Sequence, residues 1–302
     1  TAIHFLDGSF ISTFTLANFE GTSSDVNVSG AALDPASRIT MNDYYGAHRG
    51  PAYENDPNSL VDWVSPVYAG CVITRNVGID SDYPTITAAL AGLPATLTGH
   101  SCVVIRDAAT YAEQVTVRNF TNNGSSITII GDPLLSQRPI VSPPAASTAA
   151  FVIANASVNI QGISIVADQD IPYGVWASSA YVALSSVSVS TSGNLGIYTA
   201  GVRISSWSAI SYSSVAVWNA HGLWLDSTAE MNVISDSTFQ IKSAASYAMY
   251  LEGASTNTFT RTFASNLAGS GVRLDTNADY NTFSQSRPRP GCCGKLKSVT
   301  SG

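Results

Sequence analysis

Short apolar strands recur along most of this chain from residue 102 onward. Their starts fall at Cys102, Ser126, Ala150, Gly174, Gly201, Gly222, Ala248 and Gly271. Successive starts are separated by 24, 24, 24, 27, 21, 26 and 23 residues, a mean of about 24. Repeats of this length that are built from strands rather than helices are typical of a β-solenoid, in which each coil stacks on the previous one.

Aligning the repeats predicts which side chains share a face, because successive residues of a strand alternate between inside and outside. One inward column contains Val103, Ile127, Phe151, Val175, Val202, Leu223, Met249 and Val272. The next inward column contains Ile105, Ile129, Ile153, Ala177, Ile204, Leu225, Leu251 and Leu274. Both columns are apolar throughout, so we predict an all-β protein with about eight coils over residues 79–286.

A capping helix is predicted before the repeat, over residues 80–94. Asp80, Ser81 or Asp82 is placed to cap its N-terminus, and Pro84 suits its first turn. Apolar residues then follow at helical spacing, at Ile86, Ala89, Leu90 and Leu93. Because the apolar face of so short a helix must cover something, we expect it to close the open end of the solenoid.

Two segments flank the predicted solenoid. Residues 1–78 show no repeat, and we interpret them as a β-rich accessory region in which Ile3 to Phe19 forms a strand or a hairpin. Residues 287–302 carry four positive charges and no acidic residue, and we interpret them as a basic tail rich in Pro, Gly and Cys. The sequence leaves open how Cys71, Cys102, Cys292 and Cys293 pair.

The composition agrees with stacked coils. Charged residues make up 12% of the 302-residue chain, about half the usual ~25%, whereas hydrophobic residues make up 45%. Stacking places equivalent positions above one another, so a column of like charges would repel at each step. The net charge of −7 argues against nucleic acid or an anionic membrane as a partner. No apolar run reaches the ~18 residues of a membrane span.

A family resemblance is carried by the start of the repeat. Asp82 to Leu90, Cys102 to Ile105, Thr110 to Val115 and Ile127 to Asp132 resemble the entry to pectinesterase-like and pectate-lyase-like right-handed parallel β-helices. The resemblance covers residues 80–286 and implies that fold, with an amphipathic N-terminal capping helix. The Gln, Asp and Arg motifs of pectinesterases are missing from Tyr173 to Trp176 and from Asn219 to Gly222. Polygalacturonase-like motifs are missing as well, so we expect no catalytic set from these families.

Aromatic and arginine side chains form the later part of an outward column. That column begins at Val104, Thr128 and Val152 and continues with Trp176, Arg203, Trp224, Tyr250 and Arg273. Flat aromatic faces flanked by guanidinium groups suit stacking against sugar rings or a protein partner. The alternative interpretation is that each arginine stacks on a neighbouring ring and shields it from water.

Three carboxylates follow on successive coils, at Asp226, Glu252 and Asp275. Coil spacing would place them about 5 and 10 Å apart, as in a glycosidase acid pair or a Ca²⁺ site. Because Arg203 and Arg273 lie nearby, a solvated salt network is the alternative, and we expect no metal or other cofactor.

Asn232, Asn257 and Asn281 recur at spacings of 25 and 24 residues. Stacked asparagines can bond from coil to coil, so we predict a structural ladder. His221 precedes a coil start, and we interpret it as a turn residue rather than a base.

The sequence favours a non-catalytic extracellular surface or assembly protein, such as a filament subunit or adhesin-like stalk, which associates head-to-tail or with other surface proteins. The alternative function is polysaccharide binding or degradation through the outward aromatic and carboxylate columns. An enzyme of this kind would be a lyase, hydrolase or esterase that acts on polysaccharide.

Overall fold

The computed structural model describes residues 3–5, 8, 11–15, 26–29, 34–42, 54–57, 59–64, 68, 70–79, 81–192 and 196–290. Between residues 73 and 290, the described part of the chain is an all-β parallel solenoid with one short helix, in which every strand pairs in parallel with strands of the neighbouring coils. This architecture is consistent with the right-handed parallel β-helix that the sequence implied. The observed solenoid begins earlier, at Ile73, and extends further, to Pro290, than the eight predicted coils.

Each coil contributes strands to three faces. Face one stacks, in order, β7 (Ile73–Val77), β8 (Ser101–Ile105), β11 (Ile127–Gly131), β14 (Ser157–Gln161), β17 (Tyr181–Ser185), β20 (Ala209–Ser211), β23 (Val233–Ser235), β26 (Thr258–Thr260) and β29 (Thr282–Ser284). Face two stacks β9 (Thr110–Tyr111), β12 (Ile140–Val141), β15 (Ser164–Ala167), β18 (Ser188–Thr191), β21 (Ser214–Val217), β24 (Thr238–Ile241), β27 (Phe263–Asn266) and β30 (Arg287–Pro290). Face three stacks β10 (Val115–Arg118), β13 (Ala149–Ala154), β16 (Ile171–Ser178), β19 (Ile197–Arg203), β22 (His221–Leu225), β25 (Met249–Leu251) and β28 (Val272–Leu274).

The core of face three is a registered apolar column. It runs through Val115, Phe151, Val175, Val202, Leu223, Met249 and Val272, as predicted from Phe151 onward. The prediction was wrong for the first two coils, because Val103 and Ile127 lie on face one, where Val103 pairs with Ile129. The turns between Val115 and Phe151 are long. A step of 24 residues from Ile127, which lies on face one, therefore reaches Phe151 on face three.

Small residues occupy the corner where each coil enters face three. A Cβ atom on Gly222 would lie 2.4 Å from the carbonyl oxygen of Ala248, and one on Gly174 would lie 2.5 Å from that of Gly201. The close approach of neighbouring backbones therefore explains why these two coil starts are glycine. Residues on both sides of this corner, such as Tyr173 and Trp176, then face outward.

Two other corners turn through single residues in the left-handed region. At the corner between faces three and one, φ lies between 49° and 62° at Ser179, Trp207, Met231, Thr256 and Tyr280. At the corner between faces one and two, φ lies between 48° and 55° at Ser186, Tyr212, Asp236, Arg261 and Gln285. This conformation is uncommon for residues other than glycine, and its repetition gives these coils the same sharp bend.

Helix α1 (Ile86–Ala91) lies at the start of the solenoid, with Ile86, Ala89 and Leu90 buried. It is shorter than predicted, and its N-cap is Thr85 rather than the residues at 80–82. The Thr85 hydroxyl accepts a hydrogen bond from the Ala88 backbone amide at 3.1 Å. Glu113 of a neighbouring coil accepts from the amides of Ile86 and Thr87 at 2.8 and 2.9 Å. The helix is thereby bonded to the first coils that it covers.

A disulfide joins Cys71 to Cys102 at the same end of the solenoid, with a Cα–Cα distance of 5.9 Å. Cys292 and Cys293 lie outside the described residues. The tail was predicted to begin at residue 287 without strand structure, but Arg287–Pro290 forms β30 and pairs with Phe263–Asn266. The repeat therefore continues past the predicted boundary.

The described residues between 3 and 64 form two further parallel sheets, an arrangement that the sequence analysis did not predict. Strands β1 (Ile3–Phe5), β3 (Val26–Val28) and β5 (Glu54–Asn55) make one sheet, and β2 (Ile11–Thr15), β4 (Arg38–Asn42) and β6 (Val61–Val64) make another. Of the two alternatives predicted for Ile3 to Phe19, the strand is present and the hairpin is not, because β1 and β2 pair in parallel with β3 and β4. Val26, Val28, Ile39, Met41, Leu60 and Val61 form a separate buried core.

The described part of the chain has no helix with the length and apolar character that would cross a membrane.

Candidate functional site

The predicted outward column exists as a registered row on face three. Trp176 pairs with Arg203, Arg203 with Trp224, Trp224 with Tyr250, and Tyr250 with Arg273. We call these five residues the outward ladder. On the preceding coils the same row contains Val152 and Thr116. The predicted Val104 and Thr128 are not part of it, because they lie on face one.

Aromatic residues missed by the sequence analysis form a second row beside the outward ladder. Tyr173, His221 and Tyr247 each precede a ladder residue by three positions, in Tyr-Gly-Val-Trp, His-Gly-Leu-Trp and Tyr-Ala-Met-Tyr. The small residue at the corner allows both aromatic side chains of each segment to face outward. This repeated spacing was a visible signal that could have identified the second row.

Arg203 connects the two rows in the middle of face three. Its guanidinium carbon lies 4.7 Å from the ring centroid of Trp224 and 6.0 Å from that of Tyr173. It also donates to Asp226 at 2.5 Å and to the Tyr173 hydroxyl at 3.4 Å. Arg203 therefore shields part of Trp224, as the alternative interpretation of the ladder expected.

The upper part of the ladder is a cluster of stacked rings. The imidazole of His221 lies 4.8 Å from the Tyr250 ring and 5.6 Å from the Tyr247 ring, measured between centroids. Arg273 lies 5.2 Å from the Tyr247 ring centroid and donates to the Tyr247 hydroxyl at 2.6 Å. The Tyr247 backbone amide donates to Nδ1 of His221 at 3.1 Å, and burial lowers the pKa of His221. His221 is thus held as part of the cluster.

The three candidate carboxylates are engaged in a network of ion pairs and hydrogen bonds. Burial alone would raise the pKa of Asp226, but hydrogen bonds from Thr228 and Arg203 lower it. Thr276 and Tyr250 donate hydrogen bonds to Asp275 and lower its pKa as well. Glu252 accepts a hydrogen bond from the indole of Trp224 at 3.1 Å. A general acid needs a raised pKa, so the lowered values of Asp226 and Asp275 oppose that role.

Metal binding was the other hypothesis for these carboxylates. Within the described residues, no three His, Cys, Asp or Glu side chains are grouped so that they could hold a metal ion. Arg203 and Arg273 pair with Asp226 and Asp275 at 2.5 and 2.9 Å, where a cation would have to bind.

A cleft lies beside the outward ladder at the corner between faces three and one. Its volume is about 490 Å³, and it is bordered by Trp176 and Arg203 on one side and by Tyr181 and Trp207 on the other. Tyr181 and Trp207 are exposed by 58% and 61%. The hydroxyl-bearing residues Ser178, Ser179, Ser205, Ser206 and Thr228 complete the lining together with Asp226, Ala177, Ala180 and Ile204. The sequence analysis missed Tyr181 and Trp207, because they lie outside the aligned column.

The predicted asparagine residues form a buried ladder at the corner between faces three and one, on the coils that follow the cleft. Asn257 Oδ1 accepts from the backbone amide and the side-chain amide of Asn232, both at 2.9 Å. Asn281 Oδ1 accepts from the same two groups of Asn257 at 3.0 Å. The Asn257 side chain also donates to the Ala229 carbonyl at 3.0 Å. These bonds join successive coils, as a structural ladder requires.

The geometry defines the chain as a parallel β-solenoid with an aromatic face and an adjoining cleft. Among solved structures it is similar to a deglycosylated pectin methylesterase from Aspergillus niger, with 14% identity and a TM-score of 0.44, over 78% of this chain and 93% of that chain. It is also similar to a pectin methylesterase variant in complex with a hexasaccharide, with 13% identity and a TM-score of 0.40, over 69% and 80% of the two chains. At these identities the likeness concerns the fold alone. No protein-family model and no curated protein matches the chain.

Proposed function

We propose that this chain is a non-catalytic extracellular β-solenoid protein that binds a polysaccharide at the cleft beside the outward ladder. The observation that carries the proposal is the set of aromatic side chains around that cleft. Trp176 forms one border, while Tyr181 and Trp207 are more than half exposed on the other. Exposed rigid rings with neighbouring hydroxyl groups suit the apolar faces and hydroxyls of sugar rings.

The absence of a catalytic role is supported by the carboxylates of face three. Asp226 and Asp275 are ion-paired, and their pKa values are lowered rather than raised. The extracellular location is supported by the disulfide between Cys71 and Cys102, because such bonds persist mainly in oxidising compartments.

The test is binding of immobilised glycans to the purified protein and to three tryptophan variants. Trp176→Ala and Trp207→Ala remove rings from the cleft, and each should abolish selective binding. Trp218→Ala is the matched control, because Trp218 is 41% exposed but is contacted by Lys242 and lies away from the cleft. Equal binding by all variants, or no bound glycan, would contradict the proposal.

Self-association is a second candidate function, favoured by the last described coil. Leu274 and Phe283 are 41% and 38% exposed, whereas their equivalents Leu251 and Phe259 in the preceding coil are fully buried. No described residue covers this end of the core. The exposed apolar side chains of this last described coil suit head-to-tail association, in which another copy extends the stack.

Light scattering over a concentration series, with electron microscopy of the same samples, tests self-association. The native chain should form larger species as its concentration rises, and Phe283→Lys should reduce them by placing a charge on the exposed end. A chain that stays monomeric at high concentration and forms no polymers would exclude this candidate.

A further inference from the structure

Both arginines of the outward ladder are paired with aspartates of the same face. Arg203 is paired with Asp226 at 2.5 Å and also donates to Tyr173, while Arg273 is paired with Asp275 at 2.9 Å and also donates to Tyr247. Each guanidinium group is therefore directed at a neighbour on the protein. Sites that recognise carboxylate or sulfate groups instead present arginine or lysine to the ligand.

The remaining charge near the outward ladder is negative. Two arginines face three carboxylates, since Glu252 lies beside Trp224 in addition to the two paired aspartates. The chain as a whole has a net charge of −7. A polyanion approaching this face would meet repulsion at long range and would have to compete with Asp226 for Arg203 at short range.

The other groups that line the cleft are neutral. Trp176, Tyr181 and Trp207 supply aromatic surface, and the exposed residues Ser178 and Ser179 supply hydroxyl groups. Uncharged sugar rings need this combination, because their C–H faces stack on aromatic rings and their hydroxyls exchange hydrogen bonds.

We infer that the ligand of the cleft is an uncharged polysaccharide rather than a uronate-rich or sulfated one. This inference rests on the proposed function, since it specifies the class of glycan that the same cleft binds. The ion pair between Arg203 and Asp226 is the specificity determinant, because it withholds the guanidinium charge from an anionic ligand.

The experiment compares calorimetric titrations of the native chain with two sets of hexasaccharides. The neutral set contains cellohexaose, xylohexaose and mannohexaose, and the anionic probe is hexagalacturonate. At least one neutral hexasaccharide should bind about tenfold more tightly than hexagalacturonate, and its affinity should change little between low and high salt. Asp226→Asn releases Arg203 and should increase the affinity for hexagalacturonate about fivefold or more, in a salt-dependent manner.

Asp236→Asn is the matched control, because it releases Arg261 from a similar ion pair at a corner away from the cleft. This control should leave hexagalacturonate binding unchanged. Tighter binding of hexagalacturonate than of every neutral probe by the native chain would overturn the inference and leave the proposed function standing. Failure of every probe to bind would overturn the proposed function, and the inference with it.

Discussion

His221 was interpreted from the sequence as a turn residue, but it is the first residue of strand β22 and belongs to the ring cluster of face three. The sequence analysis could not show that Tyr247 and Tyr250 would stack on it, because these residues lie on the next coil. Burial lowers its pKa from the usual value of 6.5, with the charged groups Glu252 and Arg273 nearby. The neutral imidazole is therefore the form that the folded chain favours.

This lowered pKa predicts how stability depends on pH. Above pH 6.5 the imidazole is neutral in both the folded and the unfolded chain, so it adds no pH dependence. As pH falls below 6.5, the unfolded chain takes up the proton first, and the free energy of unfolding decreases until the folded histidine also titrates. Thermal unfolding at a series of pH values should show a smaller acid-side loss for His221→Phe than for the native chain. An equal acid-side loss of stability in His221→Phe and in the native chain would contradict the lowered pKa of His221.

Each coil enters face three through a position where two backbones approach closely. Gly222→Ala would place a Cβ atom 2.4 Å from the Ala248 carbonyl oxygen, so either the backbone or the next coil must move. We expect this variant to lose about 1–3 kcal/mol of unfolding free energy, as overpacked cores do. Ala248→Gly removes a methyl group from an equivalent corner and should cost about 1 kcal/mol. Chemical denaturation compares the two, and a smaller loss for Gly222→Ala would be evidence against the corner explanation.

The buried asparagine ladder predicts a graded effect along the stack. Asn257→Leu would leave the Asn232 amides and the Ala229 carbonyl without their bonds inside the protein. We expect a loss of about 3–5 kcal/mol, because each buried polar group left unbonded costs about 1–3 kcal/mol. Asn281→Leu is the comparison variant, since Asn281 is less buried and lies on the last described coil. Unfolding in urea should show the larger loss for Asn257→Leu, and the reverse order would contradict a cooperative ladder.

The strands were predictable where the alternation of apolar residues and the repeat length lead to the same alignment of the coils. From Phe151 onward, alternation and period together predicted the inward and outward columns, because each coil has nearly the same length. Between Val115 and Phe151 the turns are longer, and apolar alternation is the same on every face, so the pattern could not distinguish face one from face three. The cleft could not be predicted, since Tyr181 and Trp207 meet Trp176 only after the corner has brought two faces together.

At the scale of the whole molecule, the low content of charged residues agrees with the parallel stacking of the described strands. The same principle applies to residues 3–64, whose two parallel sheets were missed because their strands are short and lack the Gly-rich starts of the later coils. The few charges of face three are conspicuous against this background, yet both arginines are paired with aspartates, and Glu252 bonds the indole of Trp224. The sequence showed where the charges cluster, but the geometry shows that the adjoining aromatic cleft is the better candidate site.

The ends of a solenoid determine its stability, because each coil contacts only its neighbours and the terminal coils lack one of them. At the N-terminal end, the disulfide between Cys71 and Cys102 encloses helix α1 and the first strand of face one. The cysteines are 31 residues apart, and closing a loop of that size contributes about 3–4 kcal/mol in the chain-entropy description. The double variant Cys71→Ser with Cys102→Ser should therefore expose the amides of residues 73–77 and 86–91 to faster hydrogen exchange. Amides of the central coils, such as those of residues 197–203, should change less, and uniform acceleration throughout the solenoid would contradict unfolding from this end.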